Sequence, residues 1–128
     1  LSPRTNTEGV AALRLLVAPH GYEVRAVELR GCLHLKSGST AIDDGTILAN
    51  PDWIEADAFH DYETVAVHTT EPLAANTLRV GAGLCVGAAF PRTAEMLSRR
   101  GYDVRAVDTS EFAKAEGGLT CMSLLFSE

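Results

Sequence analysis

The sequence predicts an α/β fold built by repetition, in which a helix coupled to a small mixed sheet of about three strands is used more than once around a common axis. Three observations lead to this expectation. The tract GYEVRAVE at Gly21–Glu28 returns nearly letter for letter as GYDVRAVD at Gly101–Asp108, and an internal repeat marks one supersecondary unit used again. Each copy leads into a short apolar run, LHLKS with His34 after the first and LTCMS with Cys121 after the second. Helix-like and strand-like periodicities alternate along the rest of the chain. Such interleaving would ordinarily suggest one parallel sheet, but a unit of one helix with about three strands points to radial repetition. Inner strand ends and loops then face a central cleft, where His34 and Cys121 can converge although far apart in sequence.

Thr5–Val17 has helical spacing, with Val10, Leu13, Leu16 and Val17 on one face, and Thr5 to Glu8 has the form of a capping box. Pro19 and Gly21 end this helix, and Tyr22–Leu29 alternates as a strand. Cys32–Ile42 is strand-like, closed by Asp43-Asp44-Gly45 and answered by Thr46–Ala49. An Asp-Gly between two apolar runs is a hairpin signal. Pro51-Asp52-Trp53 opens a turn into a short helix reaching about Phe59, and Glu63–His68 reads as a buried strand. Asn76–Val80 and Gly83–Ala88 form a strand pair joined through Gly81. Pro91-Arg92-Thr93 opens a helix through Arg100, which Gly101 ends. Tyr102–Val107 repeats the earlier strand, Ser110–Ala115 is a short helical turn, and Leu119–Phe126 is a terminal strand.

A chain of 128 residues, 46% hydrophobic and 22% charged, suits a single domain over residues 1–128 with a core of its own. Its net charge of -6 and scattered basic residues argue against nucleic acid, whose phosphates require a basic face. No apolar stretch approaches the ~20 residues of a membrane span, and LSPRTNTEG lacks the pattern of a signal peptide. Cys32, Cys85 and Cys121 cannot all pair within one chain, so a reducing, cytoplasmic setting is expected. The start at Leu1, at the rim of a helical segment, suggests a fragment or a processed product.

Cys121 follows Gly117 and Gly118, which allow close backbone approach to a ligand and leave the sulfur little steric cover. Brought beside His34, its thiol would be an activated nucleophile; the alternative is a core cysteine on the terminal strand. His34 lies between Leu33 and Leu35, and on a strand it would share a polar face with Lys36. A hydrogen-bonded structural histidine is the alternative there. His20, His60 and His68 have no zinc-site spacing and read as structural or surface residues. Cys32 and Cys85 read as core, and Asp43-Asp44 as turn chemistry. Arg4, just before the first helix, has the fork to hold a carboxylate or is simply solvated. Glu116, just before the glycine pair, would meet a cationic ligand or is a surface charge.

LSPRTN at the start, CLHLKS in the middle and EGGLTCMSLLF at the end together resemble the dimethylarginine dimethylaminohydrolases of the amidinotransferase and deiminase superfamily. The resemblance implies a five-fold pseudosymmetric α/β-propeller, of which this chain would be about two and a half blades, the C-terminal half. It implies Cys121 as nucleophile and His34 as general acid and base. Arg4, in the SxRTN motif, would bind the substrate α-carboxylate. The Ala115 carbonyl and Glu116 would hold the substrate amino group, where aspartate is the more familiar residue. No metal or organic cofactor is implied.

The implied substrate is a small guanidino compound, Nω-methylated arginine, hydrolysed to citrulline and an alkylamine through a thiouronium adduct on Cys121. The family's third catalytic carboxylate, in a motif shortly before SxRTN, and the carboxylates that grip the guanidinium are absent from this sequence. A buried guanidinium without them would be heavily penalised, so the isolated chain is expected to be inactive. Exposed edges would meet either the missing N-terminal half or another copy. Arginine deiminase is the nearest rival, although deiminases more often carry an acidic residue where Lys36 stands; a non-catalytic propeller module used for binding is the other reading.

Overall fold

The computed structural model describes residues 1–55 and 57–126. Two mixed three-stranded sheets repeat one another. In the first, β1 (Ser39–Ala41) pairs antiparallel with β2 (Thr46–Ala49), which pairs parallel with β3 (Glu63–Ala66). In the second, β4 (Leu78–Val80) pairs antiparallel with β5 (Gly83–Gly87), which pairs parallel with β6 (Asp103–Val107). Each unit is a hairpin, a crossover and a parallel strand, with the second strand in the middle of the sheet. The α/β class and the mixed three-stranded sheet are as the sequence predicts. Among the described residues no sheet closes on itself.

Local chemistry explains both hairpins. The Asp43 carboxylate accepts the Gly45 N–H at 2.8 Å, an Asx turn that reverses the chain into β2. In the second unit Gly81 turns the chain at φ 58°, a conformation that L side chains rarely adopt. The second crossover is α3 (Pro91–Arg99), which starts with proline where no N–H partner is needed and ends before Gly101 at φ 97°. Thr93 and Leu97, four residues apart on one helical face, are fully buried. Leu48 of β2, Val65 of β3, and Leu84 and Val86 of β5 join Leu97 in one core shared by both units. Truncating Leu97 to alanine would cost about 2–5 kcal/mol by the usual scale of core deletions.

Five expectations need correction. Helix α1 is Thr7–Val17, and its cap is Asn6, whose side chain accepts the Gly9 N–H, rather than Thr5. Thr5 is already committed to a turn with Ser2. None of the residues of α1 is buried, and Leu16, on the expected apolar face, is 71% exposed.

The first repeat tract, Tyr22–Leu29, enters no ladder; only Leu29 bridges, to Ile54. Its counterpart β6 is a strand because β5 lies beside it, whereas among the described residues no strand pairs with the first tract.

The span Cys32–Ile42 is not one strand but a helical turn, α2 (Leu35–Gly38), followed by β1. Pro51–Trp53 and Asp57–Asp61 are turns rather than a helix, with Ala56 outside the described residues. Leu119–Phe126 is a turn and irregular chain instead of a strand. No helix is long and apolar enough to cross a membrane among the described residues.

Candidate active site

Three turns carry the residues singled out from the sequence. The first is Ser2–Thr5, closed by reciprocal backbone hydrogen bonds of 3.0 and 3.2 Å between its ends. The Ser2 hydroxyl accepts the Arg4 N–H at 3.2 Å and donates to the Leu33 carbonyl at 2.9 Å. Arg4 is exposed on this turn, beside an open hollow of about 430 Å³ that Asn6 and Gly9 also line. A larger hollow of about 560 Å³ runs along α3 past His68, Arg92 and Arg99 and touches none of the candidate residues.

His34 occupies the second turn. Its backbone is extended (φ -125°, ψ 137°), it directly precedes α2, and its carbonyl accepts the Ser37 N–H at 2.9 Å. Leu33 and Leu35 on either side are both exposed, so the expected division into an apolar and a polar strand face does not arise. The Cys32 thiol donates to the His34 carbonyl at 3.5 Å, and burial pushes that thiol up, which keeps it protonated.

Cys121 lies in the third turn. Its N–H donates to the Gly118 carbonyl at 3.1 Å, and the Ser123 hydroxyl donates to the Leu119 carbonyl at 2.8 Å. Leu119 points into the protein and Cys121 is exposed, which removes the reading of Cys121 as a core residue. The second and third turns are built alike, for the Ser123 N–H closes on the Thr120 carbonyl as Ser37 closes on His34. His34 therefore corresponds to Thr120, and Cys121 sits one position further on.

Asn76, which the sequence reading placed at the start of a strand, joins the two turns. Its Nδ2 donates to the Lys36 carbonyl and to Thr120 Oγ1, each at 3.0 Å, while its Oδ1 accepts the Thr120 N–H, also at 3.0 Å. The turn with His34 and the turn with Cys121 thus share one amide. Gly118 is required for this contact, since a Cβ there would lie 2.8 Å from the Asn76 amide atoms.

Ala115 and Glu116 lead into the third turn after α4 (Ser110–Ala113). The N–H groups of Ala115 and Gly117 both donate to the Phe112 carbonyl, at 3.0 and 2.9 Å, and Glu116 is held at φ 59° between them. Among the described residues no other non-glycine residue has a positive φ. This conformation costs roughly 1–2 kcal/mol and persists only where the surroundings over-determine it. No described residue donates to the Ala115 carbonyl. Among the described residues, no three of His, Cys, Asp and Glu gather as a metal site would require. The three turns thus present an exposed thiol, an imidazole on the adjoining turn and an exposed guanidinium, groups whose chemistry includes nucleophilic attack, proton transfer and anion binding.

No protein-family model matches the chain. Over 125 residues, 98% of its length, the chain is 37% identical to the N(G),N(G)-dimethylarginine dimethylaminohydrolase of Pseudomonas aeruginosa. Over 125 residues it is also 36% identical to the enzyme of that name from Streptomyces coelicolor. A solved structure of the Pseudomonas aeruginosa enzyme, a cysteine-to-serine mutant complexed with citrulline, superposes with a TM-score of 0.89 at 36% identity, covering 98% of this chain and 49% of that one. The chain spans 49% and 48% of the two curated relatives. By sequence and by fold the chain is similar to the dimethylarginine dimethylaminohydrolases, and it spans about half the length of the curated relatives it matches.

Proposed function

We propose that this chain is half of a hydrolase that converts Nω-methylated arginine to citrulline and an alkylamine, and that it supplies the nucleophile and the acid–base residue. The observation that carries the reading is the Asn76 amide shared by the His34 turn and the Cys121 turn. The relationship to enzymes of this name supports the substrate class. Cys121 Sγ, as thiolate, attacks the guanidinium carbon, a poor electrophile that demands a strong nucleophile. His34 gives a proton to the departing alkylamine as its C–N bond breaks, which leaves a thiouronium on Cys121. His34 then takes one proton from water as the water oxygen bonds to the same carbon, and the C–S bond breaks as the remaining hydroxyl proton passes to the released alkylamine or to solvent, which gives citrulline and the thiolate. Arg4 binds the substrate α-carboxylate in paired hydrogen bonds, and the Ala115 carbonyl with Glu116 holds the α-amino group.

The remaining half is part of the proposal. The two repeated units, with α1 and Gly21–Glu28 standing as counterparts of α3 and β6, make two and a half blades of a five-fold α/β-propeller. The exposed face of α1 and the unpaired first tract are the surfaces that the other blades would cover. Those blades bring the carboxylates that a guanidinium needs once out of water. The test is citrulline production, by mass spectrometry, from Nω-methylated arginine and from arginine. The chain mixed with the complementary half of a relative is expected to turn over the methylated substrate in preference, and the chain alone neither. Turnover by the chain alone would overturn the two-part reading. Retained turnover in Cys121→Ser would remove Cys121 as nucleophile, and preference for arginine would favour a deiminase.

A further inference from the structure

Asn76 is bonded to its full donor capacity. Both Nδ2 hydrogens are used, one on the Lys36 carbonyl and one on Thr120 Oγ1, and Oδ1 takes the Thr120 N–H. The amide has one workable orientation, because only a donor can face the Lys36 carbonyl and only an acceptor can face the Thr120 N–H. Lys36 lies two residues after His34, and Thr120 directly precedes Cys121. The backbone beneath Asn76 is pinned as well. Thr40 Oγ1 donates to the Ala75 carbonyl at 2.7 Å, so its single proton is spent, and Thr77 Oγ1 is the donor in the 2.6 Å bond between the two hydroxyls. Ala75, Thr77 and Thr40 are all buried, so Asn76 stands on a rigid base in the core.

We infer that Asn76 is the positioning residue that fixes the Cys121 turn against the His34 turn, an inference that rests on the reading of Cys121 and His34 as the reacting pair. It touches neither reacting atom and acts through the backbone on either side of it. Gly118 has the matching role, since its missing side chain lets the third turn lie flat on the amide. Misplacing reacting groups by ~1 Å can cost on the order of 100-fold in rate.

Alkylation of Cys121 in the full chain by iodoacetamide, followed by mass spectrometry, reads the pair without needing turnover. Comparison of the wild type with His34→Ala, Asn76→Asp and the double variant forms a cycle. Aspartate keeps an acceptor for the Thr120 N–H and loses the donor to Lys36. The expected result is that His34→Ala slows Cys121 about 10-fold or more, that Asn76→Asp slows it comparably, and that the double variant is no slower than His34→Ala. Labelling of Cys32 and Cys85 stays unchanged, which a general loosening would not allow. Gly118→Ala, which displaces the turn from an intact Asn76, serves as the second variant if Asn76→Asp fails to fold. If His34→Ala slows Cys121 but Asn76→Asp and Gly118→Ala do not, or slow it equally with and without His34, the positioning role is overturned and the reacting pair stands. If His34→Ala has no effect on Cys121, the pair itself falls, and this inference with it.

Discussion

The Ser2 hydroxyl donates to the Leu33 carbonyl at 2.9 Å, one residue before His34 and 31 positions away in sequence. The same oxygen accepts the Arg4 N–H, so one side chain both shapes the turn that carries Arg4 and places it beside the His34 turn. Ser2→Ala is expected to cost about 0.5–1.5 kcal/mol, the usual net worth of such a bond, with the loss confined to this turn. Limited proteolysis reads it locally. Trypsin should cleave after Arg4 several-fold faster in the variant, with cleavage after Arg92 unaltered, and equal rates after Arg4 would show that the hydroxyl does not hold the turn.

Asn6, and not Thr5, caps α1. Asn6→Ala should therefore destabilise the helix by about 1 kcal/mol, and Thr5→Ala by clearly less at this end. Because no residue of α1 is buried, the helix has little packing to hide the loss, and its opening is local. Amide hydrogen exchange at Gly9 is the measurement, since that N–H is the one the Asn6 side chain holds at 2.8 Å. Faster exchange in Thr5→Ala than in Asn6→Ala would reverse the assignment.

How much of this was legible in the sequence depended on the range of the interaction responsible. The Asp43–Gly45 hairpin and the limits of α3 rest on contacts a few residues long, and turn and cap residues announce them. The two repeat tracts are nearly identical in sequence, yet only the second is a strand, because a strand requires a neighbour as well as a pattern. The leucines around His34 and before Cys121 looked like strand faces. They belong to turns in which Leu33 and Leu35 are exposed and Leu119 is the inward residue. His34 and Cys121 are singled out by the repeat that precedes each of them, by the glycine pair before Cys121 and by the family resemblance, since either residue taken alone reads as readily as a structural one. Asn76 was missed because its partners lie 40 and 44 residues away and nothing in Ala74-Ala75-Asn76-Thr77 marks an amide that bridges two turns.

Gly21 and Gly31 separate backbone strain from steric conflict. Both have left-handed backbones, at φ 77° and 72°. A Cβ on Gly21 would meet nothing within 4 Å, whereas one on Gly31 would lie 2.5 Å from the Trp53 indole. Gly21→Ala should cost roughly 1 kcal/mol of conformational strain. Gly31→Ala should cost more, since the half-buried ring must move. Trp53 is the chain's single tryptophan, so its emission reports the difference directly. The expected outcome is a shifted spectrum in Gly31→Ala and an unshifted one in Gly21→Ala; an unshifted spectrum in both would mean that the indole does not rest on Gly31.

Glu71 gives the fold a pH dependence whose sign follows from its surroundings. The side chain is 8% exposed, and its two oxygens accept the Arg92 and Thr93 N–H groups at 3.0 and 2.8 Å, at the start of α3. Burial pushes the carboxyl up, but the Thr93 and Arg92 N–H groups outweigh it and hold the group below its ordinary range. A carboxylate lowered in the folded state binds protons more readily when unfolded, so its stabilisation is full above the ordinary glutamate range. That stabilisation is lost as the pH falls through the folded value. Glu71→Gln has no such titration, and its amide sets N–H against N–H at one of the two contacts. The variant should be less stable than the wild type at pH 7, and the gap should narrow as urea melts are taken to progressively more acidic pH. Subtracting the two curves removes Asp43 and Asp108, which are also lowered in the folded state. A gap that stays constant down to acidic pH would show that Glu71 caps α3 by shape alone, with its charge contributing nothing.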